Sequence, residues 1–327
     1  MCIACFFTKY YYAISVYSKV IVDCDAGIDD ALAILFALAS REVDCKAITT
    51  VSGNVDVFQS TENVLKILEL TNLNELPPVA RGSKYPLSGT VMEARSTHGK
   101  DGLGNTFLPP PKIKAASFNA INLIIEILNR ENNVILVAIG PLTNIAKVID
   151  MIEHKKEARN SIKEIIIMGG VLNLSGGLRE LKEFNISSDI DAASRVFASP
   201  IEKRLVSLDI TSQVFLEKIH IVHFKKFKSR LAAFIVDILS FAFNYNRIFR
   251  KIEGIFIHDA VVLGIAMDNN LGRFKGLNLK VDTEFERGRI LEIKGKPNMQ
   301  VCIGFERKKF LELFIDRLDF IIDKGRN

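Results

Sequence analysis

Residues 19–39 read KVIVDCDAGIDDALAILFALA, a short β-branched run that breaks into four aspartates around a glycine and then into an apolar helical pattern. Lys19–Asp23 has the composition of a buried strand, and Asp29–Ala39 the length and residue types of a helix. The same alternation recurs down the chain: Cys45–Val51 before Ser60–Leu70, Asn133–Ile139 before Thr143–Ile152, and Glu164–Met168 before Ile190–Ala198. Strand and helix in turn predict an α/β fold, an open, mostly parallel (mixed) sheet with helices on both faces. Each strand also runs into polar or glycine-rich residues: the aspartates, then Gly53-Asn54, then Gly140 with Thr143-Asn144, then Gly169-Gly170. In an open α/β sheet these C-terminal strand ends share one edge, where ligands bind.

The turn Asp23-Cys24-Asp25-Ala26-Gly27-Ile28-Asp29-Asp30 is the most informative segment. Asp23 and Asp25 are two apart and point to the same side of an extended chain, while Asp29 and Asp30 fall in the first turn of the helix. A helix dipole offsets only about 0.3–1 kcal/mol per charge, too little to keep several close carboxylates ionised. A hard divalent cation resolves the repulsion, and oxygen ligands without a neighbouring thiolate or imidazole suit calcium better than zinc. The plainer alternative is that Asp29 and Asp30 cap a helix and Asp23 sits in a turn. A magnesium-dependent Asp-x-Asp phosphohydrolase of the haloacid dehalogenase type is the chemical rival, but it usually has threonine where this chain has Gly27. A dinucleotide site would need Gly-x-Gly-x-x-Gly after the strand, which is absent.

Composition sets the outer limits. With 48% hydrophobic residues in 327, the chain can bury a large core, and residues 19–327 read as a single domain. Its 43 basic and 38 acidic residues are interspersed, so the net charge of +5 does not point to nucleic acid as a partner. His220 and His223, near Lys225, Lys226 and Lys228, read as a solvated basic helix face. Residues 1–18 are aromatic and apolar but lack a charged leading region and are interrupted by Lys9, which predicts an N-terminal extension and not a signal peptide. No later stretch approaches the roughly 20 uninterrupted apolar residues of a membrane span. Cys2 and Cys5 form a lone C-x-x-C, and Cys24, Cys45 and Cys302 sit in strand-like runs; reduced core thiols suit a cytoplasmic location, with secretion as the alternative.

The acidic turn also resembles the opening signature of the inosine-uridine nucleoside hydrolase family, Asp-x-Asp-Pro-Gly-x-Asp-Asp. Ala26 stands where that family usually has proline, a change that loosens the turn without removing a ligand. The resemblance continues in order through Thr49-Thr50-Val51-Ser52-Gly53-Asn54, His98-Gly99-Lys100-Asp101-Gly102-Leu103, Gly140-Pro141-Leu142-Thr143-Asn144, Met168-Gly169-Gly170, Glu183-Phe184-Asn185 and His258-Asp259. Glu286-Arg287-Gly288 and a helix over Phe310–Leu318 carry it nearly to the end.

The resemblance implies a Rossmann-like nucleoside hydrolase fold and cleavage of the N-glycosidic bond of ribonucleosides to free base and ribose, in nucleoside catabolism or salvage. It implies calcium held by Asp25, Asp30 and Asp259 with the Ile139 backbone carbonyl, and a calcium-bound water deprotonated by Asp25. Asp29, Asn54, Glu183 and Asn185 would hold the ribose hydroxyls, with Met168 and Phe184 lining the sugar pocket. His98 and His258 would lie near the base, His258 assisting its departure. Each has a plain alternative: loop residue for His98, helix entry for His258, turn cap for Asn54, strand edge for Glu183 and Asn185, core filler for Met168. Relatives of this kind are homodimers or homotetramers. The segment Val171–Lys182 is one residue longer than in some relatives, and Asp189-Ile190-Asp191 lacks the usual proline, so purine against pyrimidine preference stays open. The alternative of a different class is a non-catalytic nucleoside- or ribose-binding homologue.

Overall fold

The computed structural model describes residues 17–174 and 182–325; most of the N-terminal extension, with Cys2 and Cys5, lies outside them, as does much of the Val171–Lys182 segment. The strands are β1 (Ser18–Cys24), β2 (Val43–Thr50), β3 (Val79–Arg81), β4 (Val134–Ala138), β5 (Ile162–Met168), β6 (Lys203–Val206), β7 (Phe215–Leu216), β8 (Ile255–Phe256), β9 (Gly272–Leu277), β10 (Leu279–Val281), β11 (Ile290–Glu292) and β12 (Met299–Phe305). Eight of them form one sheet in the order β3-β2-β1-β4-β5-β6-β12-β9. Every pairing in it is parallel except β12 with β9. The expected mixed, mostly parallel α/β sheet is therefore present.

Side-chain alternation explains why both faces are covered. In β1, Val20, Val22 and Cys24 enter one hydrophobic core and Ile21 the other; in β4, Ile135 and Val137 oppose Val134, Leu136 and Ala138. The first core is completed by the helices Ile28–Ala39, His258–Met267 and Arg307–Lys324, the second by Ala120–Arg130, Thr143–Ile152 and Ile190–Ala198. The apolar stretch Arg230–Arg250 has 21 residues and a mean hydropathy of 1.2, enough by length and composition to cross a membrane. Leu231, Phe234, Ile235, Ile238 and Leu239 are nevertheless buried in the first core, so it serves here as a packed helix.

The first strand delivers the acidic turn to the sheet edge. Asp23 pairs in register with Thr49 of β2 and Ala138 of β4, so the turn after β1 emerges between those two strand ends. Asp30 then fixes the helix start, its Oδ2 accepting the Gly27 N–H at 2.8 Å and its Oδ1 the Asp25 N–H at 3.2 Å. At Ala26 the turn is left-handed: Ala26 has φ of +47°, is fully buried, and its carbonyl accepts the Asn63 amide. Proline, locked near φ −65°, cannot adopt that conformation. Restoring the family's proline by Ala26→Pro is expected to cost about 3 kcal/mol of stability or more, whereas Ala26→Gly is neutral or mildly stabilising. Urea denaturation of the three proteins is the check, and a proline variant as stable as the parent refutes the left-handed turn.

Candidate active site

A cavity of about 430 Å³ opens at this sheet edge, and Asp29, Asn54 and Asp259 form its acidic wall. One oxygen each from Asp29, Asp30 and Asp259 lies within 4.8 Å of the others. Asp30 and Asp259 are buried, and among the described residues Asp29 Oδ1 is enclosed without a hydrogen-bond partner, His98 Nδ1 lying 3.8 Å away. Burial holds the Asp29 and Asp30 carboxyls at about 6 and pushes Asp25 and Asp259 well above the carboxylate range, neighbouring aspartate charges adding to the rise in the last two. An all-carboxylate group with an unsatisfied buried oxygen fits a hard divalent cation.

Asp25 is held differently. Its Oδ2 accepts the Asn54 N–H at 2.7 Å and its Oδ1 the Asn54 side-chain amide at 3.0 Å. The same amide reaches Asp30 Oδ2 at 3.1 Å, so both of its protons are spent on carboxylates. The tight carboxylate group thus contains Asp29 where the resemblance names Asp25, whose two oxygens are both engaged by Asn54. Close approach requires glycine beside it: a Cβ on Gly53 would fall 2.0 Å from Asp25 Oδ2. Beneath the cluster, Asp23 accepts from Thr49 Oγ1 at 2.5 Å and the Asn144 amide at 2.8 Å; burial still lifts its carboxyl to about 7.

The other expected residues line the cavity too, several of them braced by backbone. Glu183 caps the short helix Phe184–Ser188, accepting from the Asn185 N–H at 2.7 Å and the Ile186 N–H at 3.1 Å, and takes the Gly170 N–H at 2.9 Å. Asn185 donates its amide to the carbonyls of Ile139 at 2.9 Å and Met168 at 3.2 Å, tying β4 and β5 ends together. That leaves the Ile139 carbonyl one further lone pair. Met168 and Phe184 present apolar surface to the same space.

At the far end lie His98 and His258. His98 Nδ1 accepts the Ile28 N–H at 3.0 Å; His258 Nδ1 is 2.8 Å from Thr211 Oγ1, and its ring stacks on Phe256 with centroids 5.3 Å apart. Burial, against the Asp30 charge and with that of Arg250, brings the His98 imidazole down to about 4, and burial with the Arg250 and His98 charges brings that of His258 down to about 3. Tyr245, Arg250, Phe256 and Thr211 are the members that sequence reasoning missed. Tyr245 and Arg250 lie on the helix Arg230–Tyr245 and the π turn Asn246–Arg250 after it, and no motif marks them. Elsewhere, His223 pairs with Asp319 at 2.8 Å and His220 accepts the Glu217 N–H, so both belong to helix packing and capping. Cys24, Cys45 and Cys302 are free thiols.

Comparison with known proteins agrees with this geometry. Residues 20–312 match the family model for the inosine-uridine preferring nucleoside hydrolases. The chain is 31% identical over 317 residues to a probable uridine nucleosidase 2 of Arabidopsis thaliana, covering 92% of this chain and 97% of that one. It is 32% identical over 316 residues to the pyrimidine-specific ribonucleoside hydrolase RihA of Salmonella arizonae, covering 92% and 98%. Among solved structures, a purine-preferring ribonucleoside hydrolase from Gardnerella vaginalis superposes with a TM-score of 0.87 at 29% identity, covering 93% of this chain and 99% of that one. With fold, carboxylate cluster and sequence in agreement, the chain belongs to the inosine-uridine preferring nucleoside hydrolase family and hydrolyses the N-glycosidic bond of ribonucleosides.

Proposed function

We propose that the cation is calcium, held by Asp25, Asp30 and Asp259 with the Ile139 carbonyl, and that Asp25 is the general base. The close approach of the buried Asp30 and Asp259 carboxylates, with Asp29 beside them, is the observation that supports the metal. When bound, calcium polarises and orients the attacking water. Asp25, held at the cluster by Asn54, accepts a proton from that water as its oxygen bonds to C1′. The C1′–N bond breaks with its electron pair passing to the base, and the ribose carries oxocarbenium character on the way. Asp29, Glu183 and the carbonyl oxygens of Asn54 and Asn185 offer acceptors to ribose hydroxyls. A deoxyribose would leave some of them unpaired, which disfavours it.

His98 and His258 face the base, while Met168 and Phe184 enclose the sugar. The catalytic domain is assigned to residues 19–327, working as a homodimer or homotetramer in the cytoplasm, a compartment that suits three unpaired thiols. The relatives' names divide between uridine, pyrimidine and purine nucleosides, so the base is settled by assay. The test is reducing-sugar release from inosine, uridine, adenosine and cytidine, with and without chelator. Release that stops with chelator and returns with calcium is the expected result. Chelator-resistant release would exclude the metal role, and tight nucleoside binding without release would leave a non-catalytic homologue.

A further inference from the structure

The two histidines at the base end each have one ring nitrogen already engaged within the protein. For His98 the partner is a backbone N–H, which can only donate, so Nδ1 bears no proton and the neutral ring carries it on Nε2. For His258 the partner is a hydroxyl, able to act either way, and its surroundings decide. Thr211 is completely buried, in the short helix Leu208–Thr211. Among the described residues, His258 Nδ1 is the one hydrogen-bond partner of its hydroxyl. If Nδ1–H were the donor, the hydroxyl proton would be buried without an acceptor, and an unmade buried bond costs more than a made one returns. If the hydroxyl donates, both groups are satisfied. Stacking on Phe256 holds the ring plane while this bond fixes its rotation.

We propose that Thr211 is a positioning residue that sets His258 as the Nε2–H tautomer, so that His258 and His98 together give the base end of the cavity two Nε2–H donors. The inference rests on the proposed function, in which both rings face the leaving base. Lining the cavity at the base end, these N–H groups donate hydrogen bonds to the charge developing on the base as the C1′–N electron pair arrives. The water's hydroxyl goes to C1′ and its proton to Asp25, and the base, leaving with the C1′–N electron pair, takes up a proton from solvent while Asp25 returns its own to solvent.

The test uses full-length protein purified with calcium and labelled with ¹⁵N-histidine, comparing parent, Thr211→Val and Thr211→Ser. In the long-range ¹H–¹⁵N spectrum, with His258 assigned by its loss in His258→Ala, the parent shows a bare Nδ1 and a protonated Nε2. Valine keeps the shape without the hydroxyl and gives a mixture of tautomers; serine restores the parent pattern. On inosine or uridine, Thr211→Val lowers kcat about tenfold with KM within twofold, the worth of one oriented hydrogen bond. On nitrophenyl riboside, whose leaving group needs little help, the loss is smaller. A parent spectrum with protonated Nδ1, an unchanged valine spectrum, or equal losses on both substrates would overturn the proposal. The spectrum is read without substrate, so it decides the tautomer even if no nucleoside releases ribose, an outcome that would remove the functional reading instead.

Discussion

Asp25→Asn is expected to lower ribose release by about 10³-fold or more while the protein remains folded, because positioned general-base catalysis supplies about 10²–10⁴ and orientation of the water is lost with it. Asparagine keeps the shape and can still accept the Asn54 N–H through its carbonyl, losing only the bond from the Asn54 side-chain amide to the other oxygen. The variant also separates two roles. If Asp25 served only as a metal ligand, saturating calcium would recover the rate. If it is the base, kcat stays low at every calcium concentration although calcium still raises the melting temperature. Activity near that of the parent, or full rescue by calcium, would reassign the proton transfer to another group, with Asp29 the nearest candidate because it sits in the tight carboxylate group.

The sequence made the site's acidic half legible for a physical reason: its members are local. Asp25, Asp29 and Asp30 lie within one turn, and repulsion among them is visible without a fold. The helices Thr143–Ile152 and Ile190–Ala198 match their expected bounds because apolar periodicity ends sharply there. What was hidden depends on distant pairing. The edge of the sheet is built by β12 inserted parallel to β6 and antiparallel to β9, an arrangement that no local pattern encodes. Thr211 meets His258 across 47 positions of chain, and Asn54 reaches Asp25 across 29. Motif reading assigned Asn54, Glu183 and Asn185 to the substrate, with a turn cap or a strand edge as the plain alternatives. In the fold their amides and carboxylate also satisfy other carboxylates and loose backbone groups, because a buried polar cluster must pair internally before it can bind anything.

Removing the cation is expected to destabilise the protein as well as silence it, and the effect should grow with pH. Burial places the Asp29 and Asp30 carboxyls at about 6 and Asp23 at about 7, against about 3.9 in an unfolded chain. A raised carboxylate pKa means that the folded state holds the extra proton. Its contribution is complete below pH 4 and lost as pH climbs through 6 to 7, leaving uncompensated charge in the fold at pH 8. A bound divalent ion replaces those protons, so calcium in hundredfold excess over its dissociation constant stabilises by about 2.7 kcal/mol. For 327 residues, at about 2.1 cal/mol/K of unfolding entropy per residue, that is a melting shift of about 4 °C. Melting curves with calcium or chelator at pH 5, 6.5 and 8 should therefore diverge progressively, because protons also compete with the ion at the acid end. Coincident curves at pH 8 would mean that the carboxylates are reconciled without a metal, and would overturn the cation's role in holding them together.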